Sequence, residues 1–570
     1  MSSFYDDSSL VLIPSGYKTS KVYAEKPTDG SGDLAFTRTG DTATRVNSAG
    51  LIEKVRTNLV LQSQTFDNAS WGKIGSTITA NATAAPDGTA TADSNIESAA
   101  LAEHGVSQVL AISSGLNTIS ISVKANSRTR CRIGFANSSY GSMTAAQLFA
   151  YFDVSTGTVV QNISGGFSTI VDEGNGWYRC SVSQNLVAGD AAGAVQLLFI
   201  DSGINTYYTG NGTSGLFLWG GQLEVGDIAT DYIPTTTAAV SVGPVANVPR
   251  LDYLGSSCPR LLLEPQRQNL VTFSESFDNA AWTKTNTTIT ANTAISPDGY
   301  QNADRAQLAA GALLFQSGLG SAGSNTLSVY AKATSGTSAK FRFFANGATL
   351  FSSDQTATGE WQRFTFTFTF SAVTAGISVA TTGADDVLFY GFQHEIGAYA
   401  TSYIPTLSAS ATRGADAASK TGISSLIGQT EGVAFIDFVW NGLTGVGSYP
   451  RIIELATDTS NIIQLYSIAG TTSWGWDIIN GGVVQFTGSS TMALGRNKIA
   501  VGYKLNDMVI YKNGTLVASD ATCTVPATSA LGVTGIFNGT AGAQLAASVN
   551  QTLLFKTRLT NAELATLTTL

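Results

Sequence analysis

The stretch "FDNASWGKIGSTITANATAAPDG" (Phe66–Gly88) returns as "FDNAAWTKTNTTITANTAISPDG" (Phe277–Gly299). Extended to Asn58–Asp93 against Asn269–Asp304, the match needs no gap, and 20 of 36 positions are identical. The identities are selective. They include Phe66/Phe277, Trp71/Trp282, Ile78/Ile289 and the turn Pro86-Asp87-Gly88/Pro297-Asp298-Gly299. Proline presets φ and glycine permits positive φ, so Pro-Asp-Gly reads as a tight turn with a mechanism. A repeat this long marks one domain used twice rather than a solenoid.

The echo continues downstream. "NTISISVKANS" (Asn117–Ser127) parallels "NTLSVYAKATS" (Asn325–Ser335), and both alternate as strands do. "GWYRCSV" from Gly176 parallels "EWQRFTF" from Glu360, which sets Cys180 where Phe364 stands and points to a buried apolar role for that thiol. "GGQLEVGDIATDYIPT" (Gly220–Thr235) parallels "GFQHEIGAYATSYIPT" (Gly391–Thr406). Copy one is longer in its interior, through "YGSMTAAQLFAYFDVSTG" and "DSGINTYYTGNG", which read as an added hairpin and loop. Short alternating runs with frequent Gly, Asn and Asp turns predict an all-β chain of tandem antiparallel β-sandwiches, of jelly-roll type. Phe66, Trp71, Phe277 and Trp282 are expected in the sandwich cores, with a glycan-stacking aromatic site as the competing reading. Tyr232 and Tyr403, each before Ile-Pro-Thr, are expected on a closing strand with a hydrogen-bonded hydroxyl.

Composition agrees with a globular β-rich chain. Of 570 residues, 43% are apolar and only 12% charged, and 59 are glycine. The formal charge of −9 and the lack of a basic cluster argue against nucleic-acid binding. No apolar run approaches the roughly 20 residues that span a bilayer. The opening "MSSFYDDSSL" is acidic and does not read as a secretory signal. Cys131, Cys180, Cys258 and Cys523 form no CxxC pair, so no disulfide framework is expected; Cys131 and Cys180 are expected as reduced, buried neighbours. His104 and His394 are the only histidines, which excludes His-rich metal sites.

After Thr406 the pattern changes. "GVAFIDFVW" (Gly432–Trp440), "RIIELATD" (Arg451–Asp458), "NIIQLYSI" (Asn461–Ile468) and "KIAVGYKLNDMVIYKNGTLVAS" (Lys498–Ser519) are successive strand candidates. Asn513-Gly514 between apolar runs predicts a two-residue hairpin. Thr560 with Glu563 predicts a capping box opening a short terminal helix. This order resembles concanavalin-A-like or laminin-G-like lectin domains. The connectors carry a second echo: "TRVNSAGLIEKVRTNL" (Thr44–Leu59) parallels "PRLLLEPQRQNL" (Pro259–Leu270), aligning Arg56 with Arg267 and Glu53 with Glu264. "NVPRLDYLGSSCPRLLLEPQRQNL", the opening "LVLIPSGYKTSKVYAEKPTDGSGD" and "ATRGADAAS" (Ala411–Ser419) resemble segments of bacteriophage tail and fibre proteins. The paired sandwiches resemble the carbohydrate-binding-like modules that decorate such proteins.

The resemblance implies a virion fibre, of head or tail, assembled in the host cytoplasm. It would be a homotrimer anchored by its N-terminus to other virion proteins, with host-surface polysaccharide as its ligand. Exposed sheet edges and repeated modules suit association and avidity. The expected organisation is 1–55, an attachment segment with too little apolar content for its own core; 56–236, module one; 237–267, a connector; 268–406, module two; and 407–570, the lectin-like domain. The first segment is expected to order against another virion protein or sister chains, or to be a disordered lead-in.

No catalytic motif, cofactor site or metal site stands out. Paired carboxylates would make a polysaccharide depolymerase. Asp437, Glu454 and Asp458 are the candidates for that, and solvated edges or salt-bridge partners are the competing reading. Sugars need aromatic faces with Asn, Asp and backbone partners. Two clusters fit. Tyr207 and Tyr208 lie in a Gly/Asn-rich loop, where a protein interface is the alternative. Trp474 and Trp476 share one strand face, where sandwich core is the alternative. The remaining alternative to glycan binding is a purely architectural or decoration protein.

Overall fold

The computed structural model describes residues 4–136, 143–187, 193–320, 322–336, 338–345, 349–370, 374–379, 385–442, 449–468, 470–534 and 544–570. Strand is the dominant regular structure of the described residues, helix is confined to three short segments, and every named strand pairing is antiparallel. Two compact units form. One is Arg56–Gly243 with Tyr300–Asn302; the other comprises Met1–Val55, Pro244–Gly299 and Ala303–Leu570.

The first of these holds copy one as two facing sheets. One runs in the order Phe167–Gly174, Trp177–Leu186, Gly115–Asn126, Gly215–Val225, Ala92–Glu97, Ser76–Thr83. The other runs Thr158–Gln161, Phe149–Asp153, Arg130–Ala136, Gly193–Phe199, Gly105–Leu110, Gly72–Ile74. Copy two reproduces the order of the inner strands, and its described residues hold no counterpart of the outer strands Thr158–Gln161 and Phe167–Gly174. A single strand, Ala303–Ser317, serves both of its sheets, pairing Asp385–Ile396 with one half and Thr374–Val379 with the other. Copy one breaks that strand into Ala92–Glu97 and Gly105–Leu110 and sends Leu101–Glu103 outward between them.

The repeated residues have repeated jobs. Phe66 and Trp71 are buried with ring centroids 4.6 Å apart, Phe277 and Trp282 with centroids 5.1 Å apart. Each indole N–H donates to a carbonyl nine residues back, of Gln62 or Phe273. Asp93 accepts from the Phe66 and Asn81 backbone N–H groups, and Asp304 from those of Phe277 and Asn292. Asn81 and Asn292 both have φ of 53°, which suits asparagine in the left-handed region. Asn58 and Asn269 sit fully buried, each bridging two carbonyls. In the closing segments, Gln222 and Gln393 accept from the N–H of Ile233 and Ile404, while Glu224 and Glu395 accept from Thr230 and Thr401. Tyr232 and Tyr403 share hydrogen bonds with Ser63 and Ser274. Neither tyrosine lies in a named strand as expected: side chains satisfy the N–H groups of Ile233 and Ile404, and only the carbonyls of Thr235 and Thr406 and of the residues after them take backbone bonds, from the 62–63 and 273–274 stretches. Asp93→Ala would leave two backbone donors without their acceptor, and a loss of about 2 kcal/mol is expected from urea unfolding of the full chain.

Cys131 and Cys180 are both buried with free thiols, and the neighbouring Cys131 helps burial push the Cys180 thiol up. Copy two fills the matching position with Phe364, packed 5.2 Å from Phe341. In both copies the two chain ends pair as a two-stranded neck. Arg56–Asn58 pairs with Val240–Val242, and Arg267–Asn269 with Ala411–Arg413.

The last domain draws on distant parts of the chain. Its larger sheet runs Tyr17–Lys18, Lys21–Val22, Leu34–Thr37, Ala417–Thr421, Ala530–Val533, Arg451–Asp458, Asn461–Ser467, Ser473–Asn480, Val483–Thr491. The other runs Leu251–Asp252, Arg260–Leu263, Ala547–Phe555, Glu431–Trp440, Gly495–Lys504, Met508–Lys512, Thr515–Asp520, with Leu10–Leu12 also pairing Ala547–Phe555. The expectation that residues 1–55 order against other chains is therefore corrected. Leu10, Leu12, Val22, Leu34 and Phe36 enter the same core as Trp440 and Ile499, because the open sheet edges of the last domain offer them burial and backbone partners. Asn513 and Gly514, with φ of 49° and 81°, turn the hairpin Met508–Lys512/Thr515–Asp520, and Thr560 with Glu563 closes the capping box on helix Asn561–Thr568.

Candidate functional site

Copy one carries an outward strand that the described residues of copy two lack. Leu101–Glu103 pairs with Tyr207–Thr209 as a two-stranded ribbon, with Leu101 opposite Thr209 and Glu103 opposite Tyr207. Side chains on a strand alternate between faces. Leu101, Glu103, Tyr207 and Thr209 therefore share one face, and Ala102 and Tyr208 the other. Tyr207 is 58% exposed and Leu101 61%, whereas Tyr208 is 5% exposed.

The buried face is braced by charge. Glu97 takes both ends of the Arg128 guanidinium, at 2.9 and 2.8 Å, and accepts from the Tyr208 hydroxyl at 2.7 Å and the Asn211 N–H at 2.9 Å. Burial would raise the Glu97 carboxyl, but Arg128, Asn211 and Tyr208 outweigh it and hold it below its usual value. The Tyr208 ring centre is 4.9 Å from that of His104 and 4.9 Å from the Arg128 guanidinium. Burial and the Glu97 bond push the Tyr208 hydroxyl up. Arg128 also reaches Asp201 at 3.0 Å, and Asn211 folds its own loop by accepting from Thr213 and Ser214. On the open face, Glu103 meets Thr206 at 3.2 Å and Arg132 at 3.6 Å. The result is a rigid ribbon that presents one phenol ring, one aliphatic side chain, hydroxyls and a carboxylate to solvent. Such a surface can stack a sugar ring and hydrogen-bond its hydroxyls.

Of the four residues read as glycan-binding from the sequence, only Tyr207 is presented. Tyr208 is a strut, as strand alternation dictates for adjacent residues. Trp474 and Trp476 are corrected to core: they are 0% and 4% exposed, 5.5 Å apart, on Ser473–Asn480 between two neighbouring strands. Their face of the strand carries Ile478 into the same core. A Cβ at Gly488 would come within 2.3 Å of the Trp476 ring, so that glycine makes room for it. Glu97, Arg128 and His104 escaped the sequence reading because their meeting depends on strands far apart in the chain. The three residues that lengthen copy one between Glu97 and Gly105 were the available signal.

The carboxylates weighed for hydrolysis are engaged elsewhere. Asp437 pairs with Arg496 at 2.7 Å, Glu454 with Arg451 at 3.2 Å, and Asp458 folds its own turn through the Ser460 N–H. Among the described residues no group of three His, Cys, Asp or Glu side chains is arranged to hold a metal ion. The other unit holds a concavity of about 360 Å³ lined by Arg45, Asp252, Arg260, Tyr330, Asn441 and Ser548 among others.

No known family profile and no curated protein matches the chain. Solved structures with local likeness include the CBM40 module of Ruminococcus gnavus IT-sialidase (14% identity, 26% of this chain, 91% of that one, TM-score 0.22). The NanB sialidase from Streptococcus pneumoniae is similar at 16% identity over 26% of each chain, TM-score 0.22. The binding domain of botulinum neurotoxin serotype D is similar at 13% identity over 26% of this chain and 39% of that one, TM-score 0.22. The likeness extends over about a quarter of this chain and spans about a quarter of the NanB chain.

Proposed function

We propose that the chain is a non-catalytic structural protein of a bacteriophage virion, a fibre that engages host-surface glycans through the Tyr207 ribbon of its first module. The observation that carries glycan binding is the exposed Tyr207 ring on a ribbon held rigid by Glu97, Arg128 and Tyr208. A pre-ordered aromatic platform loses little entropy when a ligand settles on it. The virion assignment rests on the resemblance of the connectors and modules to phage fibre segments. Association with copies of itself, as a homotrimer, would bring several such ribbons to one surface.

A purely architectural role is the second reading, and a specific feature favours it. The edge strand Val483–Thr491 leaves Val483 61% and Val484 54% exposed, as surfaces that meet a neighbouring chain do. Binding of the full chain to a panel of host polysaccharides separates the two. Under the glycan reading, Tyr207→Ala weakens binding about tenfold, equivalent to ~1.4 kcal/mol. Its unfolding midpoint stays put, because the ring leaves no cavity. Silence of the wild-type chain across the panel would leave the architectural role. Antibody labelling of intact particles tests the virion assignment directly.

A further inference from the structure

In the second unit, the N-terminal arm sets one amine between two carboxylates. Lys54 ends the strand Ile52–Lys54, which is held to the Pro-Asp-Gly turn by the Ile52 N–H donating to the Pro297 carbonyl at 2.9 Å. Lys54 Nζ lies 2.8 Å from Asp298 Oδ2 and 2.7 Å from Glu275 Oε2. The Tyr390 hydroxyl bridges the two acids, 3.1 Å from Glu275 Oε1 and 2.9 Å from Asp298 Oδ2. The Tyr403 hydroxyl adds a bond to Glu275 Oε1 at 3.0 Å. Ile52, Tyr390 and Tyr403 form a buried apolar wall, with Lys54 Nζ 5.5 Å from the Tyr390 ring centre. The described residues of the first module hold no such arrangement. Its turn aspartate, Asp87, faces solvent, and Gln64 stands where copy two has Glu275.

Two carboxylates against one ammonium in a ring-lined pocket is an expensive arrangement to desolvate. An amide between Lys54 and Asp298 would remove one charge of each sign. Groups held in contact react as though at effective concentrations of about 10⁵–10⁸ M, and a pocket that restricts water disfavours the reverse hydrolysis.

We propose that Lys54 and Asp298 condense into an isopeptide bond, with Glu275 as the proton carrier. The ammonium passes a proton to Glu275, and that proton moves on through the Tyr390 hydroxyl to an Asp298 oxygen. The neutral amine attacks the Asp298 carboxyl carbon, forming the C–N bond. A second proton leaves nitrogen by the same route to the same oxygen, which departs as water. One proton stays on the amide nitrogen, and Glu275 ends as the carboxylate it began as. Burial would pull the Lys54 amine down, but Asp298 and Glu275 outweigh it, so the resting group is the ammonium and the first proton transfer is the step that needs Glu275. The bond would close the chain from residue 54 to residue 298. Tension along the chain would then bypass the first module altogether.

The test is the intact mass of the full-length chain under denaturing conditions, with tryptic mapping. The expected mass is one water below that of the sequence, with no cleavage after Lys54 and one branched peptide containing Lys54 and Asp298. Lys54→Arg and Asp298→Ala should each restore the full mass. Glu275→Gln should also show the full mass while still melting cooperatively. A wild-type chain of unaltered mass that trypsin cuts after Lys54 overturns the proposal. Complete dehydration of the Glu275→Gln chain overturns the role given to Glu275.

Discussion

Residues 407–570 expressed alone are expected to fail to fold. The segment looks like a domain in the sequence, but its core takes Leu10, Leu12, Val22, Leu34 and Phe36 from the N-terminal arm and Leu251, Leu261 and Leu263 from the connector. All eight are at most 6% exposed. Burying each is worth about 1.5–3 kcal/mol, so their joint loss is ~12–24 kcal/mol. A domain of this size has about 5–15 kcal/mol in total. The loss also opens two sheet edges, at Ala417–Thr421 and Ala547–Phe555, which invite aggregation. Circular dichroism in the near ultraviolet and sedimentation of the purified fragment would read this out; a soluble monomer with cooperative melting would show the borrowed strands to be dispensable.

The complementary deletion should be tolerated. Arg56 and Val242 are directly paired across the neck of the first module, so its two chain ends leave side by side. Replacing residues 57–241 by a short glycine-rich linker keeps every strand of the last sandwich, as domain insertions with adjacent ends usually permit. The same logic bears on attachment. A truncation starting near Arg56 would damage the last domain along with any anchor, so loss of incorporation into particles would be ambiguous. Substitutions at the exposed Tyr23 and Tyr5 test attachment without touching the core.

What the sequence made legible was local. The duplicated aromatic pair, the Pro-Asp-Gly turns, the Asn513-Gly514 hairpin and the Thr560/Glu563 cap all act within a few residues of themselves. The strand order of the last sandwich was hidden for the opposite reason. Leu10–Leu12 meets Leu554 from the far end of the chain, and strands of two to four residues are too short to show a period. Alternation says which residues share a face, not which face is wet. That is how Trp474 and Trp476 could be paired correctly yet read as a surface. At Tyr207 and Tyr208 the alternation itself was the missed clue, since neighbours on a strand cannot both face a ligand.

The connector motifs have a physical meaning that their resemblance alone did not supply: they carry a buried network of charges. Arg38, Arg250, Glu264, Arg413 and Asp416 come from the arm, the connector and the segment after module two, and none is more than 4% exposed at its side chain. Arg38 meets Asp416 at 3.2 Å, Arg250 meets Glu264 at 2.8 Å and also Asp416, and Arg413 meets Glu264 at 3.0 Å. Arg38 also donates to the carbonyls of Pro244, Val245 and Val248, and Arg413 to that of Pro265. Removing Arg250 would take from each of two buried carboxylates one of its two arginines and leave Arg38 and Arg413 to hold them, so Arg250→Met is expected to cost about 3 kcal/mol in urea unfolding. Burial alone would raise the Glu264 carboxyl, but Arg413 and Arg250 outweigh it and bring it down to about 2 from an ordinary 4.5. A depressed folded-state value stabilises above the unfolded one and is lost as protons bind. The contribution of Glu264, about 3 kcal/mol, should therefore be present at neutral pH and disappear between about pH 4.5 and pH 2. Other carboxylates titrate in the same range, so the decisive quantity is the difference from Glu264→Gln. That variant should be less stable at neutral pH and should converge on the wild type as pH falls; a constant gap between the two curves would mean that Glu264 is not held ionised by its arginines.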